Sequence, residues 1–262
     1  MGLAGKENVI LHVENLKKHF GGIKAVNGCG LEVERGSITG LIGPNGAGKT
    51  TTFRCITGFH KPDAGKIHLK GKNISGLPPH LVFQNGLCRT FQITRQLEKM
   101  TVLENVMLAA KEQHGEYPWN NLFRSRKVRK QEEILMEKAM SLLELVGMED
   151  MWDELAGTLS GGQKRLVEFA RTEMADPEVV LLDEPTAGIN PTLVNSLAEY
   201  IRKFNRENNR TFLIISHDMN FMMKLCNPIF VMNLGKTLLK GTPEEVLGNA
   251  EVLSAYLGVQ AS

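Results

Sequence analysis

Apolar residues along this chain follow two rhythms. Short β-favouring runs come first, at Val9–Val13, Leu31–Val33 and Ile38–Ile42, separated by glycine breaks at Gly21-Gly22, Gly28 and Gly36. A turn at Lys61-Pro62-Asp63-Ala64-Gly65 leads into a strand at Lys66–Leu69, and Pro78-Pro79 breaks the chain before a helix-like stretch. From about Thr101 the period becomes helical. Thr101 and Glu104 form a T-x-x-E capping box, and a polar insert follows at Glu112–Asn121. A long helix is expected from about Lys127 to Val146, with Ile134, Leu135, Ala139, Leu142, Leu143 and Val146 on one stripe and Gly147 as its stop.

Strand signals then return. Val179–Leu182 and Phe212–Ile215 are apolar throughout, as strands buried on both faces must be. Helical patterns at Lys164–Met174 and Thr192–Asn205 alternate with them, which is the βαβ order of a largely parallel sheet. Ile229–Met232 and Thr237–Leu239 are further strands, and Thr242-Pro243-Glu244-Glu245 opens a last helix. The reading is one α/β domain with a core at 1–91 and 159–262 and an inserted helical lobe at 92–158.

Composition narrows the possibilities. The chain has 262 residues, 42% hydrophobic and 23% charged, with a net charge of +2. That is enough for one substantial core, and too balanced for electrostatic binding of nucleic acid. Cys29, Cys55, Cys88 and Cys226 show no C-x-x-C spacing and are expected as reduced thiols. Met1-Gly2-Leu3-Ala4 lacks the profile of a signal peptide, and no apolar run is long enough to cross a bilayer. Contact with a membrane is therefore expected through a partner. The basic run Arg124–Lys130 is expected as the solvated start of the long helix.

The chemistry centres on ITGLIGPNGAGKTTT at Ile38–Thr52. Gly43, Pro44, Asn45, Gly46, Ala47, Gly48, Lys49 and Thr50 fit G-x-x-x-x-G-K-[ST], with a buried strand before and a helix after. Such a loop turns backbone N–H groups inward onto a polyphosphate. Lys49 supplies charge for the β- and γ-phosphates, Thr50 supplies a hydroxyl for Mg²⁺, and the helix start at Thr51 adds its positive end. Val179–Leu182 runs into Asp183 and Glu184, which point to opposite faces. Asp183 is expected in the Mg²⁺ shell, and Glu184 as the general base for a water in line with the γ-phosphate. Ser160, Gly161, Gly162 and Gln163 precede a helix and make a second anion site of the same physical kind. Both sites hold one ATP if two chains pair about a two-fold axis.

Taken together, the phosphate loop, a glutamine after a strand, LSGGQ, the apolar strand with its Asp-Glu end and a strand leading to His217 resemble the ATPase subunits of ABC transporters, over essentially the whole chain. The resemblance implies a P-loop NTPase core with a mixed, largely parallel sheet and an N-terminal antiparallel β part. It places Phe20 against adenine, Gln92 at the Mg²⁺ and water site, and His217 on the γ-phosphate. Asn190 stands where many members have aspartate. Arg89-Thr90-Phe91-Gln92, Ala187-Gly188-Ile189-Asn190-Pro191, Thr57-Gly58-Phe59 and the Ala255-Tyr256-Leu257-Gly258 ending look like the branched-chain amino-acid importer ATPases. Urea and short-amide importers have ATPases of nearly the same kind. The implied partners are a second ATPase subunit, either the same chain or a paralogue, integral-membrane permease subunits and, indirectly, a solute-binding protein. The implied place is the cytoplasmic face of the membrane. Two other readings are a soluble ABC protein acting on ribosomes or DNA, which usually has two ATPase units or a long coiled-coil insert, and a nucleotide sensor that does not hydrolyse.

Overall fold

Two β-sheets form in the first of two compact units, which spans Met1–Arg89, Pro177–Ala187 and Ile201–Ser262. The computed structural model describes residues 8–90, 97–111 and 125–257. The smaller sheet joins β1 (Val9–Phe20), β2 (Ile23–Glu34), β4 (Ala64–Leu69) and β5 (Lys72–Asn73) in the order β2-β1-β4-β5, every pair antiparallel. β1 and β2 run far past the apolar runs that announce them. The break expected at Gly28 is instead a bulge in β2 facing Asn15, where the register shifts and pairing resumes beyond. Paired backbone on both sides of β1 outweighs the polar composition of its second half.

The larger sheet runs β10-β9-β3-β8-β7-β6. It consists of β3 (Ile38–Ile42), β6 (Leu87–Arg89), β7 (Val179–Asp183), β8 (Thr211–Ile215), β9 (Ile229–Asn233) and β10 (Lys236–Gly241). All its pairings are parallel except β10 with β9. Every residue of β7 and β8 is buried, as their unbroken apolar sequences require. Leu11, Val13 and Leu16 of β1, Val26 and Val33 of β2, Phe53 and Ile56 of α1 (Lys49–Ile56), Leu181 and Leu213 belong to one apolar cluster. Truncating a wholly buried ring such as Phe53 to alanine costs about 3–5 kcal/mol. Cys29, Cys55 and Cys226 are buried free thiols, and burial pushes the Cys226 thiol up to about 12. α2 (Pro79–Gln84) begins at the expected proline break.

The second unit spans Thr90–Asp176 and Gly188–Tyr200, which is wider than the stretch 92–158 that the pattern marks as a lobe. Its described α-helices are α3 (Val102–Met107), α4 (Ser125–Leu145), α5 (Gly161–Met174) and the first half of α6 (Pro191–Asn208). The capping box at Thr101 and Glu104 forms as expected. On α4 the buried side chains include Val128, Ala139, Leu142 and Leu143, with Val146 just beyond its end. Ile134, placed on the same stripe by its spacing, is 55% exposed instead. Burial on this helix is interrupted around Ile134, between Val128 and Ala139, which periodicity alone does not foresee. Asn105 is wholly buried and is satisfied by the Leu97 N–H and the carbonyls of Leu97, Met100 and Thr101. The first unit also holds the second half of α6, α7 (Met219–Leu225), α8 (Pro243–Gly248), opened by a capping box at Thr242, and α9 (Ala250–Leu257).

Candidate functional site

Three neighbouring strands deliver the phosphate chemistry to one sheet edge. β3, β8 and β7 are adjacent and parallel, with Leu41 paired to Ile215 and Ile215 paired to Asp183. The loops that follow them carry Gly43–Lys49, Ser216-His217 and Glu184, so all three emerge at the carboxyl ends, where open α/β sheets bind ligands.

The loop from Gly43 to Gly48 is shaped by its glycines. At Gly48 φ is +98°, and an added Cβ would lie 2.4 Å from the Ala25 carbonyl oxygen. At Gly46 φ is +81° with nothing within 4 Å, so that glycine answers to the turn and not to a neighbour. Asn45 and Gly46 are exposed, Pro44 is half-buried and Ala47 is buried. The Lys49 ammonium curls into the loop and donates to the Gly43 and Pro44 carbonyls at 2.7 and 3.0 Å. Burial lowers its pKa from the ordinary lysine value, and the nearby Glu184 carboxylate partly offsets that. Thr50 is exposed and Thr51 half-buried in the first turn of α1.

Glu184 follows β7 with φ +51°, an uncommon conformation for a non-glycine residue. Its N–H is tied to the Ile215 carbonyl at 2.9 Å. Its carboxylate Oε2 accepts from the His217 backbone N–H at 3.2 Å and faces the His217 Nδ1 at 2.7 Å. The Ser216 hydroxyl bonds Thr186 and the Asp218 N–H, which fixes the turn that presents His217. Asp183, one residue earlier, is 1% exposed and accepts from the Arg89 guanidinium. Sequence reasoning gave Arg89 no part in the site. A buried aspartate calls for a cation, but nothing in the spacing says that a residue 94 positions away provides it.

Phe20 is 44% exposed, edge-on to His60 at 5.2 Å and beneath the Lys18 ammonium, so its ring is a surface feature and not core. The Tyr256 phenol, also without a role in the sequence reading, shares a hydrogen bond with the Gly43 backbone. Burial raises its pKa, and that bond partly offsets the rise. Gln92 lies outside the described residues.

In the second unit Ser160 is the N-cap of α5. Its hydroxyl accepts from the Gln163 N–H at 3.3 Å while the Gln163 side chain accepts from the Ser160 N–H at 2.9 Å. Gly161 has open space around it. A Cβ on Gly162 would fall 2.3 Å from Leu193, so that glycine serves close packing against α6. Asn190 caps the start of α6 by accepting from the Leu193 N–H at 2.9 Å, a task an aspartate performs equally well.

For a divalent cation, the fit is tested by Asp183. Its buried carboxylate already has a cationic partner, so the place suits positive charge. The exposed Thr50 hydroxyl and a carboxylate are the hard oxygen donors that Mg²⁺ takes. Among the described helices none is long and apolar enough to cross a membrane.

Residues 26–187 match the family model described as ABC transporter. The chain is 44% identical to the high-affinity branched-chain amino acid transport ATP-binding protein BraF of Pseudomonas aeruginosa over 95% of this chain and 98% of that one. It is 42% identical to the probable branched-chain amino acid transport ATP-binding protein LivG of Archaeoglobus fulgidus over 97% of each. Among solved structures it matches the ADP conformation of MJ1267, an ATP-binding cassette of an ABC transporter, with TM-score 0.81, 37% identity, and coverage of 95% of this chain and 99% of that one.

Proposed function

Because this chain belongs to the ABC transporter family of ATP-binding proteins, we propose that it is the ATP-hydrolysing subunit of an importer for branched-chain amino acids. It is an ATPase that works with membrane permease components. The observation that carries the hydrolytic part is the convergence of Lys49, Glu184 and His217 at the ends of three adjacent parallel strands. The printed functions of the relatives support the solute.

In this reading the Gly43–Gly48 backbone, Lys49 and the start of α1 bind the triphosphate of ATP, and Phe20 stacks on the adenine. Glu184 takes the proton of the attacking water. A general base of this kind contributes about 10²–10⁴-fold. His217 steadies the carboxylate and meets the γ-phosphate. Thr50, Asp183 and Gln92 would hold Mg²⁺, which neutralises charge on the phosphate oxygens when bound. Ser160, Gly161, Gly162 and Gln163 of a second ATPase subunit, the same chain or a paralogue, close over the nucleotide, and their own nucleotide site is closed in return. ATP favours the closed pair only by its stronger binding there, and hydrolysis releases it. The lobe at 92–158 passes this motion to the permease subunits at the cytoplasmic face, and a solute-binding protein supplies the amino acid.

The test is uptake into vesicles that hold the complex co-purified with this chain. Leucine uptake driven by internal ATP, lost in Lys49→Ala, supports the proposal. Uptake of urea or a short amide in place of leucine reassigns the solute.

A further inference from the structure

β7 ends on a buried charge whose partner has no place in the mechanism so far. The Asp183 side chain is 2% exposed and that of Arg89, at the end of β6, is 10% exposed. The guanidinium donates through one Nη to Asp183 Oδ2, while its Nε is buried without a hydrogen-bond partner among the described residues. The arginine is thus only partly satisfied where it stands. Its other contact is the face of Phe59, with the guanidinium carbon 5.7 Å from the ring centroid, which offers a cation a second seat. β6 and β7 are parallel neighbours with Arg89 paired to Leu181, so the side chain reaches along its own edge of the sheet.

We propose that Arg89 is a positioning residue for the metal site: it is the resident counter-cation of Asp183, holding the carboxylate in place until a divalent cation takes over Oδ2, and it then withdraws toward Phe59. This rests on the reading that Asp183 is a metal ligand. A carboxylate at the end of a fully buried strand cannot stand uncompensated, because desolvation strongly disfavours the bare charge. The metal and the guanidinium therefore compete for one group, and a neighbouring positive charge weakens cation binding.

The experiment measures Mn²⁺ affinity by electron paramagnetic resonance in chain loaded with a non-hydrolysable ATP analogue, and analogue affinity in metal-free buffer. Arg89→Gln is expected to bind Mn²⁺ about tenfold more tightly, since one adjacent charge commonly shifts such an equilibrium by that factor or more. Its affinity for the metal-free analogue should match wild type. Its unfolding temperature without metal should fall and recover when Mn²⁺ is added. Arg89→Lys keeps the charge and should keep the wild-type Mn²⁺ affinity. Unchanged or weaker Mn²⁺ binding in Arg89→Gln overturns the proposal, because a purely structural ion pair would alter stability and leave metal affinity alone. Asp183→Asn separates the two layers. If it leaves Mn²⁺ affinity intact, Asp183 is not a ligand and the underlying reading fails. If it weakens Mn²⁺ while Arg89→Gln has no effect, only the counter-cation role fails. Should Arg89→Gln not fold, the wild-type chain decides. With isotope-labelled arginine, the Arg89 side-chain NMR signal should move when Mg²⁺ is added to the analogue-loaded protein, and an unmoved signal overturns the proposal.

Discussion

The Nδ1 of His217 stands 2.7 Å from Oε2 of Glu184, and the His217 backbone N–H donates to the same oxygen at 3.2 Å. Both contacts fall on Oε2, and Oε1 of Glu184 takes part in neither. The imidazole is 72% exposed and the carboxyl 17%, so the pair is anchored on the glutamate side and open on the histidine side. Such an orienting partner matters most in the transition state. His217→Ala should lower kcat by about 10²-fold with little change in nucleotide affinity, within the range for losing one oriented donor. Paired measurements of phosphate release and equilibrium binding check this. Weaker nucleotide binding with kcat unchanged would assign His217 to binding alone.

Lys49 gives the pH dependence. Burial holds its pKa below the ordinary lysine value of 10.5 in the nucleotide-free protein, which lowers stability below the folded-state pKa and ceases to do so as pH rises toward 10.5. Phosphate binds the ammonium form and raises that pKa again. Nucleotide affinity should therefore be flat at neutral pH and fall as pH climbs through the free-protein pKa of Lys49. In Glu184→Gln the fall should begin at lower pH, because the offsetting carboxylate charge is gone. Titrations with a fluorescent ATP analogue, whose phosphates are already ionised there, read the two curves. Coincident curves would refute the coupling.

Two glycines of the phosphate loop, Gly46 and Gly48, should respond differently to alanine. Gly46→Ala meets open space and bears only the left-handed penalty, about 1–2 kcal/mol. Gly48→Ala bears that penalty and drives a Cβ to 2.4 Å from a backbone oxygen, so the loop itself must move. Urea unfolding should rank Gly48→Ala as the more destabilised by at least about 1 kcal/mol. The reverse order would mean that the loop is set by something other than the Ala25 contact.

Ser160 carries a structural task and a proposed catalytic one, and the two separate. Ser160→Ala removes the cap of α5 and should cost about 1 kcal/mol. Ser160→Asp keeps a good cap, so stability should stay near wild type, but it sets a carboxylate where a partner's phosphate is to bind. ATP turnover and ATP-dependent pairing, read by light scattering, should both collapse in Ser160→Asp. Undiminished turnover would leave Ser160 as a helix cap and nothing more.

How much of this was legible beforehand depends on the range of the interaction. Ile38–Ile42 as a strand, the caps at Thr101 and Thr242 and the fully buried β7 and β8 follow from residues within a few positions of one another, whereas α5 begins at Gly161, three residues before the sequence pattern starts it, with Ser160 as its cap. The second half of β1 does not, because the partners that hold Lys17 and Lys18 in a sheet come from β2 and β4. The same limit hid Arg89 behind Asp183 and Tyr256 behind Gly43, and it put Ile134 on a stripe that is exposed at that point. Asn190 is the converse case. Its departure from the family's aspartate was legible in the sequence, but the cap it forms on α6 is not.

The most direct test of the account is steady-state phosphate release by Glu184→Gln at saturating MgATP, with ATP binding measured on the same preparation. The account predicts intact binding and turnover lower by about 10²–10⁴-fold. Turnover at the wild-type rate would show that the proton of the attacking water goes elsewhere, and would contradict the assignment on which the site is built.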